Sequence, residues 1–158
     1  MKKLKVDVED IAIIMDNHDR VASYYLDTET GEVVSIPEEV MSALEGGESC
    51  EGLPAWEIDL LPQAKEILAG SDRYEEIPIR FSHEGYRIMA DFADGVKDPR
   101  IKRELEIALD GKGAFRRFKN VLRDYPEVEK QWYKFKAARD KEEVKEWLES
   151  IGIEPEEE

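Results

Sequence analysis

The feature that most constrains the fold is a series of aromatic and aliphatic residues at helical spacing in the last third of the chain. Phe115, Phe118, Leu122 and Tyr125 recur every three or four residues, which predicts one apolar face of a helix. Pro126 disfavours a helical conformation in the residue before it and suits the first turn of a new helix. We therefore expect one helix to end at Tyr125 and another to begin at the proline.

Two helices are predicted after Pro126. Asp140 followed by Glu143 has the spacing of a capping box, so the second of them is predicted to start at about Lys141. It is expected to stop at Gly152, because glycine there suits a left-handed C-terminal cap and Pro155 prevents continuation. The predicted inward-facing residues of the two helices are Val128, Trp132, Phe135, Val144, Trp147, Leu148 and Ile151. We expect the rings of Phe115, Phe118, Trp132, Phe135 and Trp147 to belong to the core.

A β-hairpin is predicted over residues 21–36. Two runs rich in β-branched and aromatic residues flank a Thr-Glu-Thr-Gly segment, and Gly31 suits a type I turn closed by a bulge. Neighbouring residues of a strand point to opposite faces, so Tyr24 or Tyr25 is expected on the outer face. Tyr24, Tyr25 and Asp27 are therefore candidates for a docking surface on the hairpin.

A short third strand is predicted within residues 75–81. Ile77, Ile79 and Phe81 alternate with other residues, as in a half-buried strand. Pro78 cannot donate a ladder hydrogen bond, which predicts an edge position or a very short strand.

The same hairpin region does not fit an EF-hand calcium loop. Asp27, Glu29 and Glu38 have suitable spacing, but Glu32 stands where the loop needs glycine and Pro37 precedes the last ligand. The sequence predicts no metal site and no cofactor.

The helical and strand signals together predict an α+β fold that is mostly helical. About seven helices are expected around a small antiparallel sheet made of the hairpin and the short third strand. A single globular domain is predicted over residues 1–158, with a frayed acidic tail at 154–158.

The charge of the chain is large and unevenly distributed. The net charge is −15 over 158 residues. Residues 97–140 contain 13 Lys and Arg against 8 Asp and Glu, a net charge of +5, whereas the remainder has 10 against 30, a net charge of −20. A chain this acidic repels polyanions on average, so nucleic-acid binding would require a segregated basic face.

Cysteine usage and hydropathy favour a cytoplasmic protein. Cys50 is the single cysteine, so an internal disulfide is impossible. No segment of the sequence is long and apolar enough to predict a membrane span. Asn and Gln are scarce whereas Lys and Glu are abundant, a balance typical of thermophile proteins.

Three blocks of sequence carry a resemblance to a known family. They are Tyr24–Val33, Gly111–Lys119 and a third block made of Trp132-Tyr133, Trp147-Leu148 and Gly152–Pro155. In this order, over about residues 5–155, the chain resembles an uncharacterised bacterial protein family, the UPF group numbered 0158. The resemblance implies a small bacterial cytoplasmic protein and implies no particular activity. Pro62 and the acidic tail are individual to this chain.

The strongest candidate site lies between Gly111 and Arg123. Gly111-Lys112-Gly113 at a predicted helix start is consistent with two interpretations. One is an anion site, in which backbone N–H groups such as that of Gly113 and the Lys112 side chain hold the anion and Arg116 adds a contact. The other is a tight helix–helix turn. Arg116, Lys119 and Arg123 share helical spacing. They are predicted either to follow a nucleic-acid backbone, with Tyr125 or Tyr133 stacking on bases, or to pair with acidic residues of this chain or of a second copy.

No catalytic constellation stands out in the sequence. His18 and His83 are isolated, and the carboxylates are too numerous for any pair to be distinctive. The sequence therefore predicts a non-enzymatic interaction module whose partner is a second copy, in a homodimer, or another protein. The alternative prediction is a nucleic-acid or anion-binding protein that uses the basic helix 112–123. A hydrolase that acts at a cleft near the hairpin is a third alternative. No membrane partner is predicted.

Overall fold

The computed structural model describes residues 1–17, 21–47 and 52–156, and the described chain contains eight helices and five strands. Cys50 and His18 lie outside these residues. The strands are β1 (Lys2–Leu4), β2 (Ala22–Asp27), β3 (Val33–Pro37), β4 (Tyr74–Glu76) and β5 (Ile153–Pro155). The helices are α1 (Val8–Asp16), α2 (Glu38–Glu45), α3 (Ala55–Ile58), α4 (Leu61–Leu68), α5 (Ser82–Asp94), α6 (Pro99–Ala108), α7 (Ala114–Arg123) and α8 (Pro126–Ser150).

The chain divides into two compact units. Unit 1 comprises Met1–Ile79 and Val144–Glu158, and unit 2 comprises Arg80–Glu143. The predicted fold class, a mostly helical α+β protein with a small antiparallel sheet, is confirmed. The single domain over residues 1–158 stays a prediction. Among the helices in the described ranges, none has both the length and the apolar character to cross a membrane.

The antiparallel sheet of unit 1 has the strand order β3-β2-β4, so the predicted hairpin forms and its first strand is central. Tyr25 pairs with Val34 on one side and with Glu76 on the other. The third strand is shorter than predicted. Ile77 N–H still donates to the carbonyl of Tyr24 (2.9 Å), but Pro78 offers no donor and the pairing ends. Ile79 and Phe81 lie outside the strand and are 41% and 65% exposed, which corrects the prediction of a strand to residue 81.

A second, parallel pair of strands was not predicted. Lys2 pairs with Ile153 and Leu4 with Pro155, which joins the two ends of the described chain within unit 1. Gly152 adopts φ +81° after α8, as its predicted C-cap role requires. Each strand has three residues, too few for an alternating pattern to be recognised in the sequence.

Unit 1 has two apolar clusters. The first is formed by side chains of α1, β2 and the chain after Val144, and it includes Ile11, Leu26 and Leu148. The second lies between β3, α2 and α4, around Ile36 and Val40. Tyr24 packs against the first cluster and Tyr25 against the second, so these two neighbours lie on opposite faces of β2 as predicted.

The two predicted C-terminal helices are one continuous helix, α8. Asp140 does not cap a new helix, because its carboxylate binds Arg80 Nη1 (2.9 Å) and Lys136 Nζ (2.8 Å). Glu143 accepts from Arg80 Nε at 2.8 Å. Asp140 and Glu143, which suggested a capping box, therefore bind Arg80, whose side chain is 4% exposed.

Unit 2 has a core built from aromatic rings. Phe118 is fully buried and Trp132 is 5% exposed, with their ring centroids 4.9 Å apart in an edge-to-face arrangement. Phe92 contacts both rings and also Phe135. The predicted burial is confirmed for Phe118 and Trp132. It is wrong for Phe115, which is 45% exposed because its ring lies on the surface of α5.

Candidate functional site

A tight turn positions the first residues of α7. Gly111 and Gly113 adopt φ values of +82° and +77°, which L-residues with a side chain adopt only at a cost. Arg117 reaches back from α7 and donates from Nε to the carbonyl of Ala108 (3.1 Å) and from Nη2 to the carbonyl of Asp110. The guanidinium thereby satisfies carbonyl groups at the end of α6. The Gly111-Lys112-Gly113 segment thus has the geometry of the predicted helix–helix turn.

The basic residues around α7 form one exposed face. Arg116, Lys119 and Arg123 are separated by three and four residues, so they lie along one side of the helix over about 10 Å. Lys112 lies in the turn that leads into the helix, between Gly111 and Gly113. All four side chains are exposed. We call this set, Lys112, Arg116, Lys119 and Arg123, the basic face of α7.

The cations of the basic face are not neutralised within the described residues. None of the ion pairs over 1–17, 21–47 and 52–156 includes any of the four. Neighbouring cations behave differently: Lys102 approaches Asp94 at 3.6 Å, and Arg139 binds Asp91 at 2.8 Å. A full positive charge at each position of the basic face therefore remains available to an external anion.

The opposite side of α7 anchors this helix in the core of unit 2. Ala114, Phe118 and Leu122 are buried and recur at spacings of four residues. Because one face is fixed by packing, Arg116, Lys119 and Arg123 are presented by a rigid helix, whereas Lys112 belongs to the turn before it.

The formal charges of the two units have opposite signs. Unit 2 contains 16 Lys and Arg against 13 Asp and Glu, which gives +3. Unit 1 contains 7 against 25, which gives −18. The basic face therefore belongs to the net positive part of a strongly negative chain.

The aromatic residues predicted to stack on nucleic-acid bases are in different environments. Tyr133 is 63% exposed on α8. Tyr125 is half-buried, and its hydroxyl donates to Glu104 Oε2. This hydrogen bond to a carboxylate raises the pKa of Tyr125. Tyr125 therefore fixes α6 to the end of α7, whereas Tyr133 is free to contact a ligand.

The hairpin residues do not form an open surface. Tyr24 and Tyr25 are half-buried, and both belong to the central strand of the sheet. Asp27 is 3% exposed and binds Arg73 through two hydrogen bonds, Nε to Oδ1 (3.0 Å) and Nη2 to Oδ2 (2.8 Å). This bidentate pair holds the pKa of Asp27 down to about 2. Asp27 therefore stabilises the hairpin turn and is removed from any docking surface.

A second feature, which the sequence did not reveal, is a cavity of about 580 Å³ in unit 1. Its polar wall contains Glu38, Glu39 and Ser42 of α2 and Glu57 of α3. Trp56 supplies an aromatic wall and is 60% exposed. Glu57 is 1% exposed, and a side-chain hydrogen bond with Glu39, together with burial, raises its pKa to about 7. We call this feature the carboxylate cavity.

The fold and these features define a helix-rich α+β protein with an exposed basic helix in one unit and an acidic second unit. The sequence profile described as uncharacterised protein family UPF0158 matches residues 2–158, so the chain belongs to that family. It is 26% identical over 155 residues to a UPF0158 protein of Pseudomonas aeruginosa, an alignment that covers 98% of this chain and 88% of the relative. No solved structure matches the chain.

Proposed function

We propose that this protein is a non-enzymatic interaction module and that the basic face of α7 binds a strongly acidic protein surface. The observation that carries the proposal is the set of four exposed cations without an acidic partner in the described chain. Opposite charges on two surfaces accelerate encounter and fix the orientation of a complex. A cytoplasmic location, favoured by the single cysteine, is part of the same proposal.

A second copy of this chain is the first partner to test. Unit 1 carries a formal charge of −18, so it offers a surface complementary to the basic face of another molecule. A symmetric dimer would use both contacts reciprocally and so would close without forming a fibre. This arrangement corresponds to the predicted homodimer.

The test compares two variants with the same change in charge. The first replaces Lys112, Arg116, Lys119 and Arg123 with glutamine. The control replaces four other exposed cations of unit 2 with glutamine: Arg87, Lys97, Lys130 and Lys134. Exposed charge pairs are worth about 0.2–1 kcal/mol each, so the first variant should weaken self-association by about tenfold or more.

Multi-angle light scattering over a concentration series measures this difference. The proposal predicts that the wild type and the control dimerise alike and that the basic-face variant dissociates. Equal association of both variants would remove the basic face from the interface. A wild type that stays monomeric at the highest concentration and lowest salt would exclude a second copy as the partner.

Nucleic-acid binding is the alternative function, and one specific observation favours it. Three cations of the basic face, Arg116, Lys119 and Arg123, follow one line along a rigid helix, as do side chains that contact successive phosphates. Binding of single- and double-stranded oligonucleotides at about 50 and 200 mM salt distinguishes this alternative. A phosphate-binding surface loses affinity steeply across that range, and the basic-face variant should reduce the salt dependence. Lack of binding at the lower salt concentration would refute it.

A further inference from the structure

The carboxylate cavity contains a buried oxygen without a hydrogen-bond partner. Glu57 Oε2 has no donor within hydrogen-bond distance in the described structure, although its side chain is 1% exposed. A buried carboxylate oxygen left without a hydrogen bond is energetically unfavourable. Such a group in a native structure calls for a physical explanation, and a bound hydrogen-bond donor is one.

The walls of the cavity indicate the chemistry of that partner. Glu57, Glu39 and Glu38 provide carboxyl groups on one side, and Ser42 provides a hydroxyl. The exposed ring of Trp56 provides an aromatic face, and indole is the best of the aromatic groups for binding a cation. A donor-rich cation with an apolar stem satisfies all of these groups together.

An organic cation fits this combination better than a metal ion. Calcium takes six to eight oxygen ligands, and an indole ring contributes none. An ammonium group instead donates three hydrogen bonds and leaves its methylene groups to contact the ring. The carboxyl groups and the ring therefore suit the two ends of an alkylamine.

We propose that the carboxylate cavity binds the ammonium group of an alkylamine, with Glu57 and Glu39 as its acceptors and Trp56 packed on its alkyl stem. Glu57 lines the cavity, but its Oε2 is enclosed in the structure, so the side chain turns toward the cavity to accept from the ammonium group. This site is separate from the basic face of α7, and neither proposal depends on the other.

Binding at this site is coupled to a proton. The hydrogen bond with Glu39, burial and the charge of Glu39 raise the pKa of Glu57, and Glu38 is the other ionisable residue that lines the cavity. A bound cation favours the ionised pair, so binding releases a proton near neutral pH. Affinity should rise by about tenfold between pH 6 and pH 8 and then level off, since the pKa of Glu57 is about 7. An alkylamine stays charged throughout this range.

Titration calorimetry with three probes tests the site. The probes are butylammonium, putrescine and the amide of N-acetyl-lysine, which separate a free amine from a protein side chain as the source of the ligand. Stronger binding of putrescine identifies free amines, and stronger binding of the lysine derivative identifies a peptide. Each titration is repeated in two buffers of different ionisation enthalpy, because only a proton-linked event gives buffer-dependent heats.

Three single substitutions give the matched comparison. Glu57→Gln removes the charge at nearly constant shape and should weaken binding by about tenfold or more and abolish the buffer dependence. Trp56→Ala changes an exposed side chain and should weaken binding by about two- to fivefold without changing the proton release. Glu66→Gln on α4 removes an exposed carboxylate that does not line the cavity, and should leave the affinity unchanged.

Equal weakening by Glu57→Gln and Glu66→Gln would overturn the proposal, because it would indicate diffuse attraction of cations to acidic unit 1. Binding of magnesium or calcium in preference to every amine would overturn the assignment to an organic cation. An unchanged affinity in the Trp56→Ala protein would remove the ring from the site. Absence of binding by all three probes at pH 8 would refute the site altogether.

Discussion

The pair formed by Asp27 and Arg73 should be the most informative electrostatic interaction for the stability of unit 1. The Asp27 carboxylate also accepts from the backbone N–H groups of Glu29 (2.9 Å) and Thr30 (3.3 Å), which fixes the hairpin turn. Asp27→Asn keeps an oxygen that can accept these bonds, removes the charge, and replaces the acceptor of Arg73 Nη2 with an NH2 donor. The substitution therefore measures the loss of the charged, bidentate interaction with Arg73 while the turn keeps its acceptor.

The structure gives the magnitude of the expected loss. A tenfold change in an acid constant corresponds to about 1.36 kcal/mol. Lowering the pKa of Asp27 from 3.8 to about 2 is therefore worth up to about 2.5 kcal/mol. Because the Arg73 side chain is 35% exposed, water screens part of this interaction, and we expect a loss of about 1–2 kcal/mol at pH 7. In a chain of this length that corresponds to about 2–8 °C in the unfolding midpoint.

The sign of the pH dependence follows from the lowered pKa. The contribution of Asp27 is fully present above its unfolded pKa, near 4, and is lost as the pH falls through about 2. Urea unfolding of both proteins at several pH values should show a difference that is constant from pH 7 to about 5 and shrinks below pH 4. Glu29→Gln is the control, since Glu29 is 62% exposed and lies 3.4 Å from Arg73 Nη1. A difference that persists unchanged at pH 2.5, or a larger loss for Glu29→Gln, would refute this account of the pair.

The remaining predictions concern packing and backbone. Phe118→Ala should lower the free energy of unfolding by about 3–5 kcal/mol, because it removes the ring at the centre of the aromatic core of unit 2. A loss below about 1 kcal/mol in urea unfolding would contradict that packing. Gly31→Ala and Gly70→Ala both place a side chain at a φ near +80°, which costs about 1–2 kcal/mol. Gly31→Ala should cost distinctly more, since its Cβ would lie 2.1 Å from the carbonyl oxygen of Lys5 whereas Gly70 has open space around it. Equal losses of stability in thermal unfolding would show that this close approach does not matter.

Some parts of the fold depend on local signals, and the hairpin among them was predicted. Asp7 caps α1 by accepting from Asp10 N–H (3.0 Å). Asp98 caps α6, and Pro99 is the first residue of that helix. The hairpin turn forms at Gly31 with its φ of +81°. These features are decided by side chains within a few residues of the element they end. Their physical cause is therefore visible in a short stretch of sequence.

Features that depend on distant partners were missed or predicted wrongly. The break in α8 was predicted from Asp140 and Glu143, but both carboxylates bind Arg80, which is 60 and 63 positions away in sequence. The parallel pairing of β1 with β5 joins residues about 150 positions apart. Spacing along the chain contains no information on such contacts.

The candidate sites show the same contrast. The basic face of α7 was predictable, because helical spacing alone places Arg116, Lys119 and Arg123 on one side. The pairing of Glu57 with Glu39 was not predictable, because the chain has 38 Asp and Glu residues and no local pattern distinguishes these two. The apolar neighbours of Glu57 in its short helix, Trp56 and Ile58, did not indicate its burial either, since both are exposed.

The most direct test of the proposed interaction is the salt dependence of the dimer dissociation constant of the unmodified protein. Sedimentation equilibrium at about 50 and 200 mM NaCl gives this constant without any substitution. If the basic face binds acidic unit 1 of a second copy, the dissociation constant should increase severalfold at the higher salt concentration, because exposed charges are then screened. A dimer of equal strength at both salt concentrations, or a monomer at both, would contradict the proposal.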